Sequence, residues 1–84
     1  MLIDVDGIRL NVLDEGSGHP VLFLHGLGGS WRDWEPQLDS FSKRHRVIVP
    51  EHRGHGRSDR PLGEYSIARF AADIHTLCDV LSID

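Results

Sequence analysis

Two apolar runs, VLFL (21–24) and RVIVP (46–50), each pass directly into a glycine-bearing loop, HGLGG (25–29) and EHRGHGRS (51–58). No other feature of the sequence restricts the fold as much. Four consecutive apolar residues leave no polar face, the pattern of a strand covered on both sides within a parallel sheet. Between the runs, Trp31, Trp34, Leu38 and Phe41 recur at helical spacing in SWRDWEPQLDSFSK. Asp33 is placed to cap this helix, and Pro36 falls in the first turn, where its missing N–H is tolerated. Strand, helix and strand within about 30 residues form a βαβ unit with a right-handed crossover.

Parallel strands bring their carboxyl ends to one edge of the sheet, where ligands bind in open α/β folds. The loops at 25–30 and 51–58 are therefore expected side by side. Glycines let main chain approach a ligand closely, and amides exposed at such a turn can stabilise an oxyanion. Other glycine-loop chemistries fit poorly. A dinucleotide loop starting at Gly26 and Gly28 requires glycine at position 31, which is Trp31. A phosphate P-loop requires Gly-Lys-Ser/Thr, and the sole lysine is Lys43.

The flanking segments complete an α/β pattern. Asp6-Gly7 lies between alternating runs and predicts a hairpin with strands at about 2–5 and 8–14. Ile8, Leu10 and Val12 share one face, Arg9 and Asn11 the other. EGSGHP (15–20) reads as a loop. A helix is predicted over 66–81, with Ser66 as cap and a stripe of Ile67, Phe70, Ala71, Ile74, Leu77, Cys78 and Leu81. Arg69 and Asp73 form an i,i+4 pair expected on its solvent side.

Composition narrows the partners. With 39% hydrophobic residues the 84-residue chain can build one core and no more than one domain. Its net charge of −4 argues against nucleic acid and anionic membranes. No apolar run approaches a membrane span, and the acidic MLIDVDG start is unlike a signal peptide. Cys78, the single cysteine, has no internal disulfide partner, and a cytoplasmic setting is expected.

VLFLHGLGGSWRDWEPQL and RVIVPEHRGHGRSDRP together resemble the start of an α/β-hydrolase-fold protein of the esterase, lactonase and haloperoxidase-like branch. The likeness covers essentially the whole chain. The first stretch resembles that family's third strand, His-Gly oxyanion loop and first helix. The second resembles its fourth strand and Asp-x-Arg-Gly-x-Gly-x-Ser loop, with Glu51 in place of the usual Asp. The resemblance implies that the Leu27 backbone N–H is an oxyanion-hole donor and that Gly26, Gly28 and Gly29 shape the substrate loop. It implies that His25 braces the turn, while Arg53, Gly54, Gly56 and Ser58 hold the second loop. Neither cofactor nor metal is expected.

The same resemblance implies what lies elsewhere. The family's nucleophile occupies a Gly-x-Ser-x-Gly turn after its fifth strand, followed by the acid and the histidine. None of the seven serines (17, 30, 40, 42, 58, 66 and 82) stands in that frame. The expected architecture is thus the N-terminal half of an α/β-hydrolase sheet, an incomplete domain over 1–84 lacking the nucleophile and inactive alone. In the family the third strand lies between the fourth and the fifth, so the VLFL strand is expected to expose an edge open to self-association.

The implied activity is cleavage of a small-molecule ester or related acyl bond by a Ser-His-Asp mechanism. Alternatives are a non-catalytic binding or scaffold module, and dehalogenase or epoxide-hydrolase chemistry through an Asp nucleophile. Relatives of that last kind often carry a polar residue or proline just after His-Gly, where this chain has Leu27 and Gly28. His52 and His55, with His45 upstream, invite comparison with a metal site, but Arg53 and Arg57 bring repelling charge, and loop bracing is the preferred role. Trp31 and Trp34 read as core or pocket wall. Ser30 and Ser58 read as capping or turn residues, Cys78 as a small hydrophobe, and His75 as a surface residue.

Overall fold

The computed structural model describes residues 1–63 and 65–83. Asp6 and Gly7 both adopt positive φ (51° and 91°), the requirement of a two-residue hairpin turn. The turn joins β1 (Leu2–Val5) to β2 (Ile8–Glu15). After β3 (His19–Leu22) come a 3-10 turn (Trp31–Trp34), α1 (Glu35–Ser42), β4 (His45–Pro50) and α2 (Ile67–Val80). The sheet order is β1-β2-β4-β3, with β3 and β4 parallel and the other pairs antiparallel.

Alternation along β4 divides the core between the two faces. Ile48 packs with Val5, Leu10, Val12 and Leu77 beneath α2. Val47 and Val49 pack with Leu38 of α1, and Trp31, Trp34 and Phe23 close over them. Trp34 stacks on Phe23 with ring centroids 4.9 Å apart. Helices on opposite faces of a mixed sheet give the α/β architecture expected from the sequence.

Four details depart from the sequence reading. First, β3 spans His19–Leu22 rather than 21–24, so His19 and Pro20 belong to a strand. Val21 pairs with Val47 and the Phe23 N–H donates to the Ile48 carbonyl at 3.0 Å, which turns odd-numbered residues toward β4. Pro20 consequently faces the open edge, where its absent N–H costs no ladder bond. Second, that open edge leaves Val21, Leu22 and Phe23 half-buried and Leu24 exposed, so this strand is not covered on both faces. Third, the Ser30 hydroxyl, not Asp33, caps the segment after the first loop, and the chain makes a 3-10 turn before α1 begins. Fourth, Asp73 lies in the interior at 1% exposure, whereas Ile67, on the apolar stripe, is 72% exposed.

Candidate active site

The second loop is organised around Glu51. Its carboxylate, 2% exposed, accepts from the Asn11 side chain (2.8 Å), the Arg57 N–H (3.1 Å) and the Trp31 N–H (3.3 Å). It thereby joins β2, both loops and the start of the 3-10 turn. Burial alone would raise its pKa, but those three donors and the nearby His25 hold it below the ordinary carboxylate value. Gly56 passes so close that a Cβ there would overlap the Glu51 carboxylate. The Ser58 hydroxyl donates to the Glu51 carbonyl (2.6 Å) and accepts from the Asn11 N–H (2.8 Å), fixing the far end of the loop to β2. Gly54 donates to the Asp59 carbonyl at 2.9 Å, and its own carbonyl accepts from Arg60.

Arg53 leaves the same loop toward α2. Its guanidinium donates twice to Asp73, at 2.7 and 2.8 Å, in a pair with 9% and 1% of the side chains exposed. This two-point geometry is the strong form of the arginine–carboxylate contact. Arg69 also approaches Asp73, at 3.6 Å, but from the rim of a buried pair rather than on a solvent face. The sequence signal for Asp73 was available: it shares the helix face of Phe70 and Leu77 at spacings of three and four.

Histidines join the two loops reciprocally. His25 Nε2 accepts the His52 N–H at 3.0 Å, and His55 Nε2 accepts the Gly28 N–H at 3.0 Å. A ring that accepts at Nε2 carries its proton on Nδ1 when neutral. That proton meets the Gly26 carbonyl from His25 (2.6 Å) and the Arg53 carbonyl from His55 (3.0 Å). His52 packs between His25 and Phe70, with centroids 4.6 and 4.9 Å away. Burial lowers its pKa, and repulsion from His25 and His55 lowers it further. The three rings are close together, yet four of their nitrogens are committed to main chain, and no group of three metal-ligating side chains occurs among the described residues.

Within the first loop, the Gly28 and Gly29 N–H groups are occupied, by His55 and the Gly26 carbonyl. Those of Gly26 and Leu27 make no hydrogen bond among the described residues. Gly26 and Leu27 line a cleft of about 400 Å³, together with Leu24, His25 and His52 and with Ile67, Phe70, Ala71 and Ile74 of α2. Gly28 and Gly29 are not among the residues that line it. The Leu27 side chain is 74% exposed. Unpaired amides beside an apolar cleft are suited to hold a polar oxygen within otherwise greasy surroundings.

Among the described residues no helix is long and apolar enough to cross a membrane. The alpha/beta hydrolase fold family model matches residues 19–84. The chain is similar to the putative carbamate hydrolase RutD of Azorhizobium caulinodans, 38% identical over 69 residues, which cover 82% of the chain and 26% of that protein. It is similar to the soluble epoxide hydrolase of a Corynebacterium species, 31% identical over 95% of the chain and 28% of that protein. Among solved structures, Est816, described as an N-acyl homoserine lactone degrading enzyme, superposes with a TM-score of 0.92 at 37% identity. That match covers all of this chain and 32% of Est816. The chain thus spans roughly a quarter to a third of the relatives it resembles. From its sheet order, its paired glycine loops and a match running through both of them, the chain belongs to the alpha/beta hydrolase fold family.

Proposed function

We propose that residues 1–84 supply the oxyanion loop of a hydrolase that cleaves an ester or related acyl bond by a Ser-His-Asp mechanism. The observation that carries this reading is the unpaired Leu27 N–H, next to that of Gly26, on a loop whose Gly26 carbonyl and Gly28 and Gly29 amides are bonded into place. As an acyl carbon becomes tetrahedral, its oxygen gains negative charge. A donor that is already oriented stabilises that charge without reorganising, and its loss typically costs about 10²–10³-fold in rate. In this reading Gly26, Gly28 and Gly29 shape the loop against a small-molecule ester. His25 braces it, and Arg53, Gly54, Gly56 and Ser58 hold its neighbour. Ser-His-Asp chemistry requires no cofactor. The single cysteine favours a reducing, cytoplasmic setting.

The nucleophile, acid and catalytic histidine are contributed from outside these residues, since no Gly-x-Ser-x-Gly occurs within them. The open edge of β3 and the adjoining apolar cleft give such a segment a place to dock. Without it, that edge is expected to pair with a second copy. A second reading, epoxide opening by an Asp nucleophile, has the soluble epoxide hydrolase relative in its favour. The apolar Leu27 after His-Gly speaks for acyl transfer.

The test uses the chain alone and fused in place of the matching segment of Est816. With an activated acyl ester, the chain alone should show no saturable turnover. The fusion should be active, and Leu27→Pro, which removes the N–H, should lower its kcat about 10²–10³-fold. Inhibitor-sensitive turnover by the chain alone, or a Leu27→Pro fusion of unchanged kcat, would overturn the proposal.

A further inference from the structure

We propose that His55 is a positioning residue: its neutral ring grips the peptide following Leu27 and so helps decide where the Leu27 N–H is aimed. This rests on the oxyanion reading above but is tested separately from it. Two peptide planes meet at the Leu27 Cα, and each is held by a histidine. The plane carrying the Leu27 N–H also carries the Gly26 carbonyl, which receives His25 Nδ1 at 2.6 Å and the Gly29 N–H at 3.0 Å. The peptide is trans, so fixing the carbonyl fixes the N–H on the opposite side. The next plane carries the Gly28 N–H, which His55 Nε2 accepts at 3.0 Å. With both planes held, the torsions of Leu27 are set and its amide keeps one direction.

His25 belongs to the first loop itself, whereas His55 reaches it from the second. Its ring is keyed by the Arg53 carbonyl at Nδ1, 3.0 Å away. Arg53 is anchored in turn by its two bonds to Asp73 on α2. A continuous path therefore runs from a buried helical carboxylate to the Leu27–Gly28 peptide. The groups facing the His55 ring are His25 of the first loop (centroids 4.9 Å), His52 of the second (6.2 Å) and Phe70 of α2 (5.9 Å). The charged groups on that path are Arg53 and Asp73, and the Arg60 guanidinium donates to the Gly54 and Gly56 carbonyls on either side of His55. A second proton on His55 would sit on Nε2 and oppose the Gly28 N–H, so the grip needs the neutral ring.

The direct test is nuclear magnetic resonance on the uniformly ¹⁵N-labelled 84-residue chain. A scalar coupling between the Gly28 and His55 Nε2 nitrogens across the hydrogen bond, with ring shifts of the Nδ1–H form, is expected. His55→Phe keeps an aromatic ring but no acceptor, and it should expose the Gly28 amide to exchange; His55→Gln, which restores an acceptor, should recover part of the protection. In the Est816 fusion, His55→Phe should lower kcat about 10–100-fold with little change in KM, with partial rescue by His55→Gln. Absence of the coupling, an Nε2–H ring, or a His55→Phe fusion of unchanged kcat would overturn this inference. An intact coupling with a Leu27→Pro fusion of full activity would instead sink the oxyanion reading, so the two failures are distinguishable.

Discussion

At the scale of single residues, Glu51 and Gly56 depend on each other. The carboxylate reaches three donors only because residue 56 has no side chain, and Gly56 takes a φ of 52° that other residues adopt at a cost. Gly56→Ala combines left-handed strain, about 1–2 kcal/mol, with displacement of the Glu51 carboxylate. A loss of about 2–4 kcal/mol is expected in urea unfolding. Acid should weaken the same site. Glu51 is held below its ordinary value of 4.5 and His52 below 6.5, so in both cases the unfolded chain binds the proton first. Their contributions are fully present above those ordinary values and disappear as pH falls through the lower folded ones. Urea midpoints should therefore decline below about pH 6.5 and again below about 4.5. His52→Phe should flatten the first limb and Glu51→Gln the second. Glu51 could be seen in the sequence as a departure from the family's Asp. That its longer reach would find Asn11 across the sheet could not, because alternation alone assigns Asn11 to a solvent face.

Among elements, the hairpin, the β4 strand and α2 were legible because turn chemistry and apolar period agree there. The unread parts are those where a tertiary partner overrides the local pattern. Pro20 looks like a loop residue until the parity of β3 turns it to an unpaired edge. Asp73 looks like half of a surface pair with Arg69 until Arg53 arrives from another loop. Likewise the His52–His25 and His55–Gly28 bonds join residues 27 positions apart, a distance that no periodicity spans. Asp73 binds α2 to the second loop, and its removal tests that coupling. Asp73→Ala leaves the Arg53 charge buried and unpaired, a change that typically costs about 3–5 kcal/mol. A chain of this length has roughly 4–13 kcal/mol in total, so the variant should give up a large share of its stability and lose its helical circular dichroism signal at lower urea than the parent chain. Arg53→Met with Asp73→Leu removes both charges and should recover much of the lost stability. Equal damage from the single and double variants would show that the ion pair, rather than the volume it fills, is what holds the loop.

For the whole molecule, the parity that turns Pro20 outward also defines what β3 offers a partner. Odd-numbered residues bond to β4, so the even-numbered Pro20, Leu22 and Leu24 present their main chain to the open side. Pro20 has no N–H to give. The N–H groups offered at that edge therefore reduce to those of Leu22 and Leu24, immediately before the first glycine loop. Leu24 is 43% exposed and borders the same apolar cleft as Ile67 and Leu27. Pro20 blunts one end of this short edge, but Leu22 and Leu24 are apolar and bring no charge to keep exposed strands apart. The isolated chain should self-associate, with a sedimentation coefficient that rises with concentration. Leu24→Lys places a charge on the edge while leaving the β3–β4 ladder untouched, and it should shift the chain toward monomer with an unchanged circular dichroism spectrum. Salt screens such a charge, so the remaining association of Leu24→Lys should grow with ionic strength. An unsubstituted chain that stays monomeric at high concentration would rule out self-association, and a Leu24→Lys variant that associates as strongly would place it away from the β3 edge.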